Sequence, residues 1–100
     1  MPTTKEFLES TLTKLNQLPL EITSRPMMGE YLLYVDGTLF GGLYDNHLLI
    51  KKTETNVSLG LPEVIPYEGS KKTMYQIEDL EDMKKVAEII EATLEGLKKR

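Results

Sequence analysis

Apolar residues recur every three or four positions at the two ends of this chain and tend to every second position in its middle. Near the start, Leu8, Leu12, Leu15 and Leu18 follow at steps of four, three and three, which places them on one face of a helix. Thr3 and Glu6 have the spacing of a capping box, in which two side chains tie up free N–H groups at a helix start. Pro19 predicts the end of that helix at Leu18, because proline lacks an N–H and disfavours helix in the residue before it. Near the other end, Leu80, Met83, Val86, Ala87, Ile90, Leu94 and Leu97 form a second stripe. Asp79 is the expected cap, and Glu81–Lys85 and Glu95–Lys99 have the i,i+4 spacing of helical ion pairs.

Between the stripes the period changes. Leu20–Met27 is compatible with a strand, and Tyr31, Leu33 and Val35 then alternate with Glu30, Leu32 and Tyr34. Asp36-Gly37 suits a type I′ hairpin turn, whose two central residues need positive φ. Thr38–Tyr44 is the return strand, Asp45-Asn46 a second tight turn, and His47–Lys52 the next strand. Strands joined by two-residue turns must be antiparallel. Thr53–Leu59 reads as a short helix, with Thr53 as N-cap and Gly60 and Pro62 as stops. Pro62–Ser70 reads as a loop and Thr73–Ile77 as a fifth strand. The expected fold is α+β: one domain over residues 1–100, an antiparallel β-meander of about five strands packed with N- and C-terminal helices. Both faces of the meander carry apolar residues, so one face meets the helices and the other is left for a partner or a second layer.

Gly41-Gly42 interrupts a strand in which Leu39, Phe40, Leu43 and Tyr44 all favour β structure. Glycine there is disfavoured by chain entropy, so a close neighbour or a special backbone conformation is expected. Adjacent strand residues point to opposite faces. Gly41, in step with Leu39 and Leu43, is expected under a helix, and Gly42 against Tyr34 or Tyr44.

Composition narrows the function. The chain has 100 residues, no cysteine and a formal net charge of −4. The missing thiols exclude disulfides, thiol catalysis and thiolate metal sites. Nucleic-acid affinity is dominated by cationic contacts, so an acidic balance makes direct DNA binding doubtful. The basic residues form scattered pairs, Lys51-Lys52, Lys71-Lys72 and Lys84-Lys85, with a run only at Lys98-Lys99-Arg100. The first residues lack the apolar core of a signal peptide, and no apolar run has the length of a membrane span. The expected location is cytoplasmic, with no membrane partner.

Chemistry is sparse. The single histidine, His47, follows a tight turn and reads as an exposed strand residue rather than a general base. Glu78, Asp79, Glu81 and Asp82 crowd the start of the last helix, where carboxylates complement the helix dipole. No EF-hand, His-Glu-x-x-His or Walker pattern occurs. The chain is not expected to be an enzyme, and no catalytic residue, cofactor or metal is assigned. Arg25-Pro26-Met27-Met28-Gly29-Glu30-Tyr31 is the unusual segment: two methionines lie between a proline and a glycine, flanked by Arg25 and Glu30, which are placed to pair across the bend. Burial of both methionines in the core is the expected arrangement, with an exposed gripping pair as the alternative.

That segment, with Phe40-Gly41-Gly42-Leu43-Tyr44-Asp45, Pro66-Tyr67-Glu68-Gly69 and Met74-Tyr75, resembles the TfoX (Sxy) N-terminal domain family of bacterial competence regulators. The resemblance spans nearly the whole chain and keeps the four blocks in order. It implies an antiparallel sheet with packed helices and a role near transcription, where the full-length regulator acts as a coactivator alongside the cyclic-AMP receptor protein. Full-length members carry a second, helical domain that is not found before Arg100, so a stand-alone short member is expected. The leading functional expectation is a regulatory or protein-interaction domain linked to transcription or competence, with a homodimer among the candidate assemblies. The motif residues expected to carry it are Arg25, Met27, Met28, Gly29, Glu30, Tyr31, Gly41, Gly42 and Tyr67. A direct nucleic-acid binder is the second reading and requires the lysine pairs to converge on one surface. A small-molecule-binding domain is the third and requires a pocket near Arg25, Glu30 or His47.

Overall fold

A computed structural model describes residues 2–98. In chain order the elements are α1 (Lys5–Leu15), β1 (Ile22–Met27), β2 (Glu30–Val35), β3 (Thr38–Tyr44), β4 (His47–Ile50), a single 3₁₀ turn (Val57–Leu59), β5 (Glu63–Val64), β6 (Met74–Ile77) and α2 (Met83–Lys98). The strands form one sheet in the order β1-β2-β3-β4-β6-β5, with every neighbouring pair antiparallel. The α+β class and the two terminal helices are as expected. The sixth strand, β5, lies inside the expected Pro62–Ser70 loop. It is two residues long, too short for any alternation to show.

Three type I′ turns build the meander. Asp36-Gly37 and Asp45-Asn46 have φ of 49° and 82°, and of 49° and 59°, as the two turn sequences predict. The third is Met28-Gly29, at 49° and 87°. A two-residue turn makes Met27–Glu30 a hydrogen-bonded pair, and alternation then makes Pro26–Tyr31 a non-bonded one. The missing proline N–H therefore points to the open edge of the sheet, where it interrupts pairing with another strand.

Both helices lie on the same face. Leu33, Phe40, Leu43, Ile50, Val86 and Ile90 are completely buried there, with Phe7, Leu8, Leu12 and Leu18 packed against them. Burial of each such side chain contributes about 1.5–3 kcal/mol. The β2–β3 register shifts at Leu33/Tyr34, whose partners are Gly41 and Leu39. The intervening Phe40 has no partner on β2 and is fully buried in the core, a bulge that aims one ring at the helices.

The caps differ from expectation at both helices. Thr4, not Thr3, caps α1, accepting from the Phe7 N–H at 3.1 Å. The helix ends at Leu15, one turn before Leu18, and the Asn16 N–H closes it on Leu12 O at 2.8 Å. Asp82, not Asp79, caps α2, accepting from the Lys85 N–H at 3.2 Å. Asp79 accepts from the Glu81 N–H at 2.9 Å in the preceding turn. Glu81 therefore lies outside the helix and pairs with Lys14 at 2.8 Å rather than with Lys85. The Glu95–Lys99 pair and the basic run end outside the described residues.

A buried polar cluster fastens the segment after β4 to α2. Asn56 is fully buried; its Oδ1 accepts from the Thr53 N–H at 2.9 Å, and its Nδ2 donates to Lys51 O at 2.8 Å and to Thr93 Oγ1 at 2.9 Å. Thr53 Oγ1 accepts from the Asn56 N–H at 3.1 Å, but residues 54–56 form a turn and Asn56, not Thr53, is the N-cap of the single 3₁₀ turn that replaces the expected short helix. Gly96 of α2 lets this segment come close: a Cβ there would lie 2.4 Å from Thr53 Cβ.

Candidate functional site

Neither of the described helices covers the other face of the sheet. Its centre is Tyr44, the last residue of β3, which is buried with its ring over Gly42. A Cβ on Gly42 would lie 3.0 Å from Tyr44 Cε2 and 2.5 Å from Tyr31 O, so both the ring and the β2 backbone exclude a side chain. This agrees with the expected Tyr44 contact. Gly41 has a different cause from the one expected. A Cβ there would meet Leu49 O at 2.1 Å and Ile50 Cα at 2.9 Å, so the backbone of β4, not a helix, demands glycine.

The segment after β5 folds across this face and brings Ile65, Pro66 and Tyr67 beside Tyr44. Tyr44, Pro66 and Tyr67 form a wall shared by two clefts. The first, of about 600 Å³, is lined by Lys51, Lys52, Lys71 and Lys72 with Ser70, Thr73 and Met74. The second, of about 420 Å³, is lined by Glu30, Asp45 and Glu68 with His47, Leu49 and Ile65. One wall thus separates a cleft lined by four lysines from one lined by three acidic residues. Burial first, and then the negative charge of Tyr67 and Glu30, pushes the Tyr44 phenol above the ordinary tyrosine range.

The lysines converge because of strand register. Antiparallel pairing of β4 with β6 matches Ile50 with Tyr75. Continued past the strand ends, that pairing brings Lys52 to Thr73, and Lys52 Nζ donates to Thr73 Oγ1 at 2.9 Å. Lys52 also pairs with Glu63 at 2.8 Å. The Glu63 hydrogen bond holds the Lys52 ammonium above the ordinary lysine range. Hydrogen bonds from Lys52 and Thr73 hold the Glu63 carboxyl below its own. Ser70 Oγ is engaged locally, donating to Lys72 O at 2.8 Å. Among the described residues none forms an ion pair with Lys51, Lys71 or Lys72.

The Arg25–Tyr31 segment is dispersed rather than gathered. Met28 sits at the hairpin tip and is 98% exposed, which overturns the expected burial of both methionines; Met27 is half-buried. The reason is the turn: Met28-Gly29 supplies its two central residues and projects outward. Tyr31 packs against the core. Arg25 lines a separate groove with Thr23, Ser24, Tyr34 and Gly37. Glu30 bonds elsewhere than Arg25: Oε1 accepts from the Thr3 hydroxyl at 2.7 Å, the Thr3 N–H at 2.9 Å and the Asp45 N–H at 3.2 Å. It fastens Thr3 and the β3–β4 turn to β2. Tyr67 is 58% exposed, as is Ile65.

His47 is exposed, with Nδ1 3.3 Å from Gln76 Nε2. Among the described residues no group of three or more His, Asp or Glu side chains is arranged to hold a metal ion. No described helix is long and apolar enough to cross a membrane. Comparison with family models, curated proteins and solved structures finds no match.

Proposed function

We propose that this chain is a regulatory domain that works by protein–protein interaction, in the transcription-linked manner that the resemblance to the TfoX N-terminal family implies. One observation carries the interaction reading: Tyr67 and Ile65 are exposed together on the face opposite the helices, beside the cleft that holds Glu30, Asp45 and Glu68. Met28, two residues before Glu30, adds a flexible, polarizable side chain at the neighbouring hairpin tip. Exposed tyrosine next to apolar groups and within a polar rim is the composition of an interface anchor. The carboxylates select a partner segment carrying an apolar side chain flanked by arginine or lysine.

The test begins with affinity capture from a native bacterial lysate, using wild type beside the Met28→Ser/Tyr67→Ser double variant. A candidate partner is then purified and titrated against both proteins. Binding that weakens at least tenfold in the variant, with its melting temperature unchanged, supports the reading. Equal binding by both proteins removes this surface from the account. A captured transcription factor supports the regulatory half of the proposal, and a partner with no link to transcription counts against it.

A further inference from the structure

We propose that the cleft between Tyr67 and the Lys51, Lys71 and Lys72 side chains binds a compact organic phosphate carrying a planar ring, of the nucleoside phosphate class. The proposal shares Tyr67 with the partner surface but draws its charge from the opposite side of the Tyr44–Tyr67 wall, so the Lys71 and Lys72 variants test it separately.

Three observations converge. The first is charge. Lys51-Lys52 and Lys71-Lys72 are 20 residues apart in sequence yet line one cleft, in a chain whose net charge is −4. Like charges brought together by folding repel, and an anionic ligand relieves that repulsion. Glu63 neutralises Lys52 from beside the cleft, which leaves Lys51, Lys71 and Lys72 as the charge facing a ligand. Lysine binds phosphate as a point charge, and three of them suit a group of two or more negative charges.

The second is shape. The cleft, at about 600 Å³, falls within the ordinary range for small-molecule sites, and its lining combines polar and apolar side chains. Tyr44, Tyr67, Pro66 and Met74 provide the apolar part. Tyr67, more than half exposed, presents a ring on which a base can stack. The third is rigidity. Lys52 is held by Glu63 and Thr73, Ser70 bonds its own loop, and Asn56 fixes the Lys51 carbonyl. The backbone carrying the lysines is therefore largely set before a ligand arrives, which lowers the cost of ordering.

A nucleic-acid strand is the less favoured occupant. The lysines are gathered in one concave cleft rather than along a stripe, and carboxylates lie just beyond its wall.

The test is titration of ADP into isotope-labelled protein, followed by amide NMR shifts and calorimetry, with adenosine and inorganic phosphate as separate probes. ADP is expected to shift the amides of Lys51, Lys52 and residues 67–74, and to bind at least tenfold more tightly than either fragment. Lys71→Glu and Lys72→Glu, both at exposed positions, should each weaken ADP at least fivefold without altering the melting temperature. Tyr67→Ala should weaken ADP but not inorganic phosphate. No shift at millimolar ADP overturns the proposal. Equal binding of ADP and inorganic phosphate overturns the ring-binding half. Tighter binding of a single-stranded oligonucleotide than of ADP, with a steep salt dependence, assigns the cleft to nucleic acid instead.

Discussion

Thr3 and Glu30 are joined twice, by a hydroxyl bond of 2.7 Å and an amide bond of 2.9 Å, across 27 residues of sequence. The same carboxylate accepts from the Asp45 N–H, and Thr3 Oγ1 accepts from the Asn46 N–H at 3.2 Å. One acidic side chain therefore fixes the segment before α1, the start of β2 and the β3–β4 turn. Glu30→Ala should lower stability by about 1.5–3 kcal/mol, the scale of a charge-assisted hydrogen bond lost from a partly buried site. Thr3→Val removes the hydroxyl bond to Glu30 and the bond accepted from Asn46, and the double variant should lose clearly less than the two single losses added together. Denaturant unfolding of the three variants measures both effects, and strict additivity would show that the two residues act separately.

Gly41→Ala should destabilise the domain more than Gly42→Ala, and each by more than about 1 kcal/mol. At Gly41 the new methyl meets the β4 backbone at 2.1 Å, which cannot yield without parting two strands. At Gly42 the Tyr31 carbonyl lies at 2.5 Å, but the Tyr44 ring can swing aside. Thermal melts rank the two. A Gly42 variant less stable than the Gly41 variant would mean that the Tyr31 carbonyl and the Tyr44 ring yield less than the β4 backbone does.

The contrast between these glycines shows what the sequence holds. A break in β propensity at 41–42 is visible in the residue types, and so is the need for a close neighbour. Which neighbour it is depends on strand order, and β4 and Tyr44 approach from directions that no local pattern records. Both helical stripes and two of the three hairpin turns are legible because several residues agree on one period. Met28-Gly29 was masked by methionine, an unusual residue at positive φ. The caps slipped because Thr3 and Thr4, like Asp79 and Asp82, are chemically equivalent candidates, and contacts with Glu30 and Lys85 decide between them. The lysine cleft had no local signal, since it follows from pairing β4 with β6 rather than with β5.

Leu33→Asp and Ile90→Asp should each abolish cooperative folding or lower the melting temperature drastically. Both side chains are fully buried, on β2 and on α2 respectively. An unpaired carboxylate in such a site costs several kcal/mol, a large share of the roughly 5–15 kcal/mol that holds a domain together. Calorimetry decides, and a melt within a few degrees of wild type would place that side chain at the surface.

The Lys52–Glu63 pair has opposite pH limits at its two ends. The Glu63 carboxyl is depressed, so its contribution is present above the ordinary glutamate range and fades as pH falls through its lowered pKa. The Lys52 ammonium is raised, so its contribution is present below the ordinary lysine range and fades as pH rises through its elevated pKa. The pair is solvent-exposed and salt-screened, so its effect on stability is small. Carboxyl carbon NMR should place the Glu63 titration below the ordinary range, and Lys52→Met should move it upward. An unchanged midpoint in that variant would show that Thr73 alone sets it.

Tyr44 should titrate late. Burial, with Tyr67 and Glu30 nearby, favours the neutral phenol, so the folded state holds this proton more tightly than the unfolded chain. Its contribution to stability is therefore intact through neutral pH and declines only as pH climbs above the ordinary tyrosine range. Ultraviolet phenolate absorbance should contain a component above that range, which Tyr44→Phe removes. If the component survives the substitution, another tyrosine is its source.

Thr11 points to a substitution that should strengthen the fold. It lies on α1 between the half-buried Leu8 and Leu12 and the buried Leu15, with only 1% of its surface exposed. Its Oγ1 has no hydrogen-bond partner among the described residues. A hydroxyl taken out of water without a partner carries a penalty of about 1–3 kcal/mol as judged by protein substitutions. Valine keeps the branched shape and replaces the oxygen with a methyl group of similar size. Helix propensity does not oppose the change, since threonine and valine rank closely in a helix interior. Thr11→Val should therefore raise stability, by roughly 0.5–2 kcal/mol once the slightly larger methyl is accommodated. Thr11→Ser is the complementary test. It keeps the unpaired oxygen and removes a buried methyl, so it should be less stable than wild type by about 1 kcal/mol. Denaturant midpoints at constant slope give both differences. A loss of stability in the valine variant would show that the hydroxyl has a partner in solution, with a buried water the first to look for.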